Sequence, residues 1–103
     1  MEFPTESKFA QTVFNTKASE LYVLVAKNLD YGPKAISDVP YGPLVGVNVR
    51  LWDKLMRAIN LGENEGGFEA VVDTYQDIAN YGTIAQMILN GVWNPESHPV
   101  IDE

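Results

Sequence analysis

Two rows of charged residues carry the chemistry that this sequence can offer. Arg50, Asp53, Lys54 and Arg57 recur at i, i+3, i+4 and i+7, and Glu69, Asp73, Asp77 and Asn80 at i, i+4, i+8 and i+11. At about 100° per residue each set falls on one helix face, the first mostly basic and the second acidic. Helices joined by a short turn are usually antiparallel neighbours, so the two rows are expected to face each other or to share a cleft. Confining that many charges is costly without partners, which leaves three chemistries open: an ion-pair network, a metal, or a phosphate-bearing ligand.

Each chemistry has its own candidate residues. Glu69, Asp73 and Asp77 on consecutive turns could hold Mg²⁺, a hard cation that takes oxygen ligands and bridges to substrate phosphates. Arg50 and Arg57 could grip phosphate oxygens through two-pronged hydrogen bonds, with Lys54 as a point charge between them. These three account for three of the chain's seven cations within eight residues. Lys27 and Lys34 flank Tyr31 and could extend the same pocket, while Tyr31 and Tyr41 could stack on a nucleobase. The bland readings are pairing of the two rows with each other and tyrosines that anchor Gly-Pro turns. His98 is the single histidine and stands in a proline-containing tail, so a triad or a histidine metal site is not expected. No Walker-type or dinucleotide-type glycine loop is present.

The elements that must position these residues read as helices. Phe9, Val13, Leu21, Leu24, Val25 and Leu29 recur at helical spacing after a Thr5 cap, with a possible interruption near Asn15-Thr16 and an end at Asp30-Tyr31-Gly32-Pro33. An irregular stretch with two Tyr-Gly-Pro repeats follows, up to Val45. The second helix is expected from about residue 46 to 61, with Leu51, Leu55, Ala58 and Ile59 inward and Trp52 and Met56 on a flanking row. A short strand over 45–49 is the alternative reading of its start. After the polar turn 62–67, a third helix is expected from Phe68 to Asn90 with Gly91 as its stop signal. Its acidic row gives way to Ile84, Met87 and Ile88 after Asn80, whereas a merely solvated face would stay polar to the end.

An all-α bundle of three to four helices follows, occupying residues 1–93 as one domain, with 94–103 as a coil tail. With 103 residues and 46% hydrophobic content the chain suits a single domain. Such a bundle buries a modest core, so completion by a homo-oligomer is expected, with the apolar end of the third helix as the surface for a second copy. A formal charge of −7 argues against a broad surface for duplex nucleic acid. Absence of cysteine excludes disulfides, thiolate zinc and a cysteine nucleophile. The N-terminus lacks a basic and an apolar signal region, and no apolar run approaches about 18 residues, so the expectation is a cytoplasmic protein without a membrane partner.

Three blocks stand out together: residues 27–32 (Lys-Asn-Leu-Asp-Tyr-Gly), 50–57 (Arg-Leu-Trp-Asp-Lys-Leu-Met-Arg) and 73–81 (Asp-Thr-Tyr-Gln-Asp-Ile-Ala-Asn-Tyr). In this order and spacing they resemble the nucleotide modification associated domain 1 family, found largely in bacteriophage genomes. The resemblance covers roughly residues 20 to 93 and implies a role with phage nucleotides. The pattern is also distantly similar to MazG-type all-α nucleoside triphosphate pyrophosphohydrolases. Those hold Mg²⁺ through a Glu-x-x-Glu pair and a Glu-x-x-Asp pair on two helices. Asp77-x-x-Asn80, supported by Asp73, would correspond to the second pair. The first pair is missing, since the first helix has only Glu20 in its middle and the second only Asp53. The resemblance therefore implies binding or sequestering of a phosphate-bearing nucleotide, such as a host defence signal, by Lys27, Tyr31, Arg50, Asp53, Lys54, Arg57, Asp73, Asp77 and Asn80. Its alternative is a Mg²⁺-dependent pyrophosphohydrolase with Glu69, Asp73 and Asp77 on the metal.

Overall fold

The computed structural model describes residues 7–31, 36, 39–63 and 67–93. These form three α-helices and, among the described residues, no strand: α1 (Lys8–Tyr31), α2 (Pro43–Glu63) and α3 (Phe68–Leu89). The all-α expectation holds.

Ser7 caps α1, because its Oγ accepts the backbone N–H of Ala10 at 2.9 Å. Thr5 lies outside the described residues. The helix runs through Asn15-Thr16 without a break. Thr16 returns its hydroxyl to the carbonyl of Thr12 at 2.9 Å and Thr12 to that of Lys8 at 3.0 Å, so neither competes for turn geometry.

α2 begins three residues earlier than the spacing predicts, at Pro43, whose fixed φ and missing N–H suit the first helical position. The Gly46 N–H then donates to the Gly42 carbonyl at 3.2 Å, and the alternative strand at 45–49 gives way to helix. Gly46 has a second duty. A Cβ there would meet Val39 Cγ2 at 2.9 Å and the Ile36 carbonyl at 3.2 Å, so only glycine lets the segment before α2 lie this close to it.

α3 starts after Gly67, without a side-chain cap. It ends as the sequence predicts, with Gly91 at φ +73°, its N–H on Ile88 O at 3.1 Å and that of Val92 on Met87 O at 2.9 Å. This is the paired bonding of a Schellman stop.

α2 and α3 form the antiparallel pair that carries the core. Val47 clusters with Ile84, and two turns along each helix, in opposite directions, Lys54 meets Asp77. Further along the pair, Ala58 of α2 and Thr74 of α3 are both buried. Ile36 joins Val47 and Ile84, and Leu24, Leu51, Tyr81, Ala85, Ile88 and Trp93 pack around them. α1 lies more sparsely on α3.

Two packing expectations are corrected. Leu55 and Ile59 face outward, 43% and 46% exposed, while Val47, Leu51 and Ala58 face α3. The apolar end of α3 is largely spent inside the chain, because Ile84, Ala85 and Ile88 fill the core and Leu89 alone of that end stays largely exposed. No described helix is long and apolar enough to cross a membrane.

Candidate functional site: a three-helix lysine–aspartate centre

All three helices meet at one carboxylate. Lys27 Nζ of α1 donates to Asp77 Oδ1 at 2.8 Å, and Lys54 Nζ of α2 reaches Asp77 Oδ2 at 3.1 Å. Helical periodicity puts Asp77 there: it lies two turns before Ile84 on the face that α3 turns to α2, and Lys54 lies two turns after Val47 on the matching face. Both charges thus arrive in the centre of a largely apolar seam. Asp77 keeps 17% of its side-chain exposure and Lys54 30%, while Lys27 remains half-exposed at 52%.

The electrostatics follow from those partners. Burial alone pushes the Asp77 carboxyl upward, but hydrogen bonds and charge from Lys27 and Lys54 outweigh it and hold the group below its ordinary 3.8. The centre is therefore ionised at neutral pH, with two cations on one anion.

Asn80 lies one turn beyond Asp77 on α3 and is buried to 7% of its exposure. Its amide makes no hydrogen bond to protein among the described residues. Thr74, one turn before Asp77 and also buried, is satisfied through its own hydroxyl on Ala70 O at 2.7 Å. Among the described residues Asn80 is thus a buried polar side chain of the seam without a protein partner, one turn from the Asp77 centre. On the α1 side, Gln76 Nε2 approaches Ser19 Oγ at 3.4 Å, the outer limit of a hydrogen bond.

The two charged rows do not close on each other. From the basic row only Lys54 reaches α3; Arg50, Asp53 and Arg57 are exposed. Neither arginine has an ion pair or side-chain hydrogen bond among the described residues. From the acidic row Asp77 and Asn80 enter the seam, whereas Glu69 and Asp73 stay exposed. Around α2 the reason is angular: at about 100° per residue Arg50, Asp53 and Arg57 all fall to one side of Lys54, away from the face of Val47, Leu51 and Ala58.

The Mg²⁺ set Glu69, Asp73 and Asp77 does not assemble. No three acidic or histidine side chains gather at metal-holding range among the described residues, and both oxygens of Asp77 are engaged by lysines. This donor set does not fit a magnesium ion as it stands. Tyr41 is exposed at the turn before α2. Tyr31 closes α1, but its side chain, like Lys34, lies outside the described residues.

Lys27 took its place in the site through its neighbour Tyr31 in sequence, and the signal for its true role is absent from local spacing, since 50 residues separate it from Asp77. Ser19 and Gln76 had no signal at all. No family profile matches the chain, and neither curated proteins nor solved structures give a match.

Proposed function

We propose that this chain binds a small phosphate-bearing nucleotide on the basic side of α2. The observation that carries the reading is the state of Arg50 and Arg57, two exposed guanidiniums without an acidic partner among the described residues, set on either side of Lys54 along α2. Seven residues of helix place the two arginine Cα atoms about 10 Å apart, with Lys54 between them. Three cations in that span suit several phosphate oxygens of one ligand rather than a single carboxylate. Asp77 supports the arrangement by pinning Lys54, and Asn80 keeps an amide free to read a ribose or base. Asp53 and Asp73, both exposed, are suited to hydroxyl or base contacts. An overall charge of −7 favours a small ligand over a long polyanion, which the rest of the surface would repel.

The three sequence blocks that resemble the nucleotide modification associated domain 1 family support the same reading, and with it a phage setting in which the protein sequesters a nucleotide signal in the host cytoplasm. Retention without turnover is the form favoured by a donor set that forms no metal cage among the described residues. The proposal includes self-association, because Phe9, Leu21, Tyr22, Trp52 and Phe68 are among many large apolar side chains left facing water by a single copy.

The test is native mass spectrometry of the purified chain with a panel of linear and cyclic nucleotides plus Mg²⁺, repeated with Arg57→Ala and Arg50→Ala. An intact nucleotide should be retained, with affinity reduced about tenfold or more in each variant, a loss of roughly 1.4 kcal/mol. The variants should keep their thermal stability within the usual surface range of about ±0.5 kcal/mol. Unchanged affinity in a stable Arg57→Ala protein would sink the reading. Conversion of a triphosphate to a monophosphate would replace it with the Mg²⁺-dependent pyrophosphohydrolase.

A further inference from the structure

α2 is apolar on two sides. Its inner side, Val47, Leu51 and Ala58 around Lys54, is filled by α3 and the residues packed on it. Its outer side carries Val45, Val49, Trp52, Met56 and Ile59, all exposed, with Trp52 at 64%. The intervals along this outer row are four, three, four and three residues, which is the a/d repeat of a coiled-coil seam. Leu55 widens it on one flank.

We infer that this outer row of α2 is the contact surface for a second copy of the chain, packed antiparallel across a two-fold axis near Trp52. Three observations favour that occupant. The row is almost symmetric about Trp52: Val45 and Ile59 lie seven residues to either side, and Val49 and Met56 lie three and four. An antiparallel copy therefore brings small against large at both ends and repeats the same contacts twice, as an isologous interface requires. Second, the area suffices. Allowing roughly 150–250 Å² for a buried aromatic and somewhat less for each aliphatic residue, the exposed fractions put on the order of 500 Å² of apolar surface on each copy's row. A pair then buries about 1,000 Å² from this row alone, the size at which specific interfaces begin. Third, the row holds no Lys, Arg, Asp or Glu, whereas Arg50, Asp53 and Arg57 sit to its side and rear, so pairing buries no charge in the seam and leaves both arginines in water.

This inference rests on the self-association included in the proposed function, and it names the surface. It is independent of the ligand, because the arginines point away from the row by the same helical spacing.

The experiment is analytical ultracentrifugation of the full chain and of Trp52→Glu, with circular dichroism to establish that each is helical. The wild type should sediment as a dimer or a multiple of it, and Trp52→Glu should weaken the association by about a hundredfold or more while keeping its helix content. If Trp52→Glu fails to fold, oxidative cross-linking decides instead. The chain has no cysteine, so Asp53→Cys supplies one thiol per copy beside the two-fold axis, and Thr83→Cys, exposed on α3, supplies a control. Asp53→Cys should cross-link rapidly and Thr83→Cys should not. A monomeric wild type would overturn both the self-association and the surface. A wild-type oligomer untouched by Trp52→Glu, or cross-linking no faster through position 53 than through 83, would overturn the surface alone.

Discussion

The inner and outer sides of α2 hold similar numbers of apolar residues, yet one is filled by the chain's own α3 and the other faces water. The difference is one of partners rather than of hydrophobicity. The inner side contains Gly46, Val47, Leu51 and Ala58, small or medium residues that let Ile36, Val39 and α3 approach closely, and it includes Lys54 because Asp77 waits opposite. The outer side carries Val45, Val49, Trp52, Met56 and Ile59, which face water. Apolar content alone does not say which side of a helix is inside; complementarity with a partner does.

The sharpest way to break this comparison uses the same substitution at neighbouring positions. Val47 is fully buried and Val49 is more than half exposed. Val47→Ala should destabilise the chain by about 2 kcal/mol, from two lost methyl groups and the cavity they leave. Val49→Ala should change the unfolding free energy of the dilute chain by less than about 0.5 kcal/mol, with the better helix propensity of alanine offsetting lost partial burial. Urea titrations at low protein concentration measure both. Equal costs at the two positions would show that the outer side is packed in the free chain as well.

A smaller effect is expected at the ionic centre of the inner side. Asp77→Asn removes the anion from between Lys27 and Lys54. Breaking a fully buried pair costs about 3–5 kcal/mol, but Lys27 is half in water and Lys54 can follow it, so about 1–2 kcal/mol is expected. The pH dependence has a definite sign. Because the folded-state carboxyl titrates below its ordinary 3.8, the unfolded chain binds the proton first, and the contribution is complete above that value and is lost as pH falls through the lower folded value. Stability measured from pH 6 down to the acid limit should fall more steeply for wild type than for Asp77→Asn. Parallel curves would mean that the lysines do not hold Asp77 in its ionised form.

What was readable in the sequence follows the same division. The helices, the stop at Gly91 and the entry of the Asp77–Asn80 row into apolar surroundings were legible, because each depends on residues within a few turns. α2 starts earlier than its spacing predicts because Tyr-Gly-Pro reads as a break, although Pro43 is also an excellent first helical residue. Leu55 and Ile59 read as inward because no local signal separates one apolar side of α2 from the other. The convergence of Lys27, Lys54 and Asp77 depends on how α1 crosses α3, which no spacing along one helix encodes. For the same reason spacing alone leaves open whether the acidic row pairs with Arg50 and Arg57, and among the described residues it does not.

Asn80 gives the finest discrimination between a seam built only for stability and one that keeps a polar group for a ligand. A buried amide without a partner costs about 1–3 kcal/mol, and replacing it by an apolar side chain of similar volume removes that cost. Asn80→Leu should therefore stabilise the chain by about 1 kcal/mol, the gain reduced by the shape difference between a branched aliphatic and a planar amide. In the same protein, nucleotide retention in native mass spectrometry should weaken. A more stable variant that binds less makes Asn80 a group held against the interest of the fold and for the sake of the ligand. If Asn80→Leu is instead destabilising by 1 kcal/mol or more, on the order of a lost hydrogen bond, then the amide is satisfied in solution, and Asn80 belongs with Thr74 among the groups that merely complete the packing of α3 on α2.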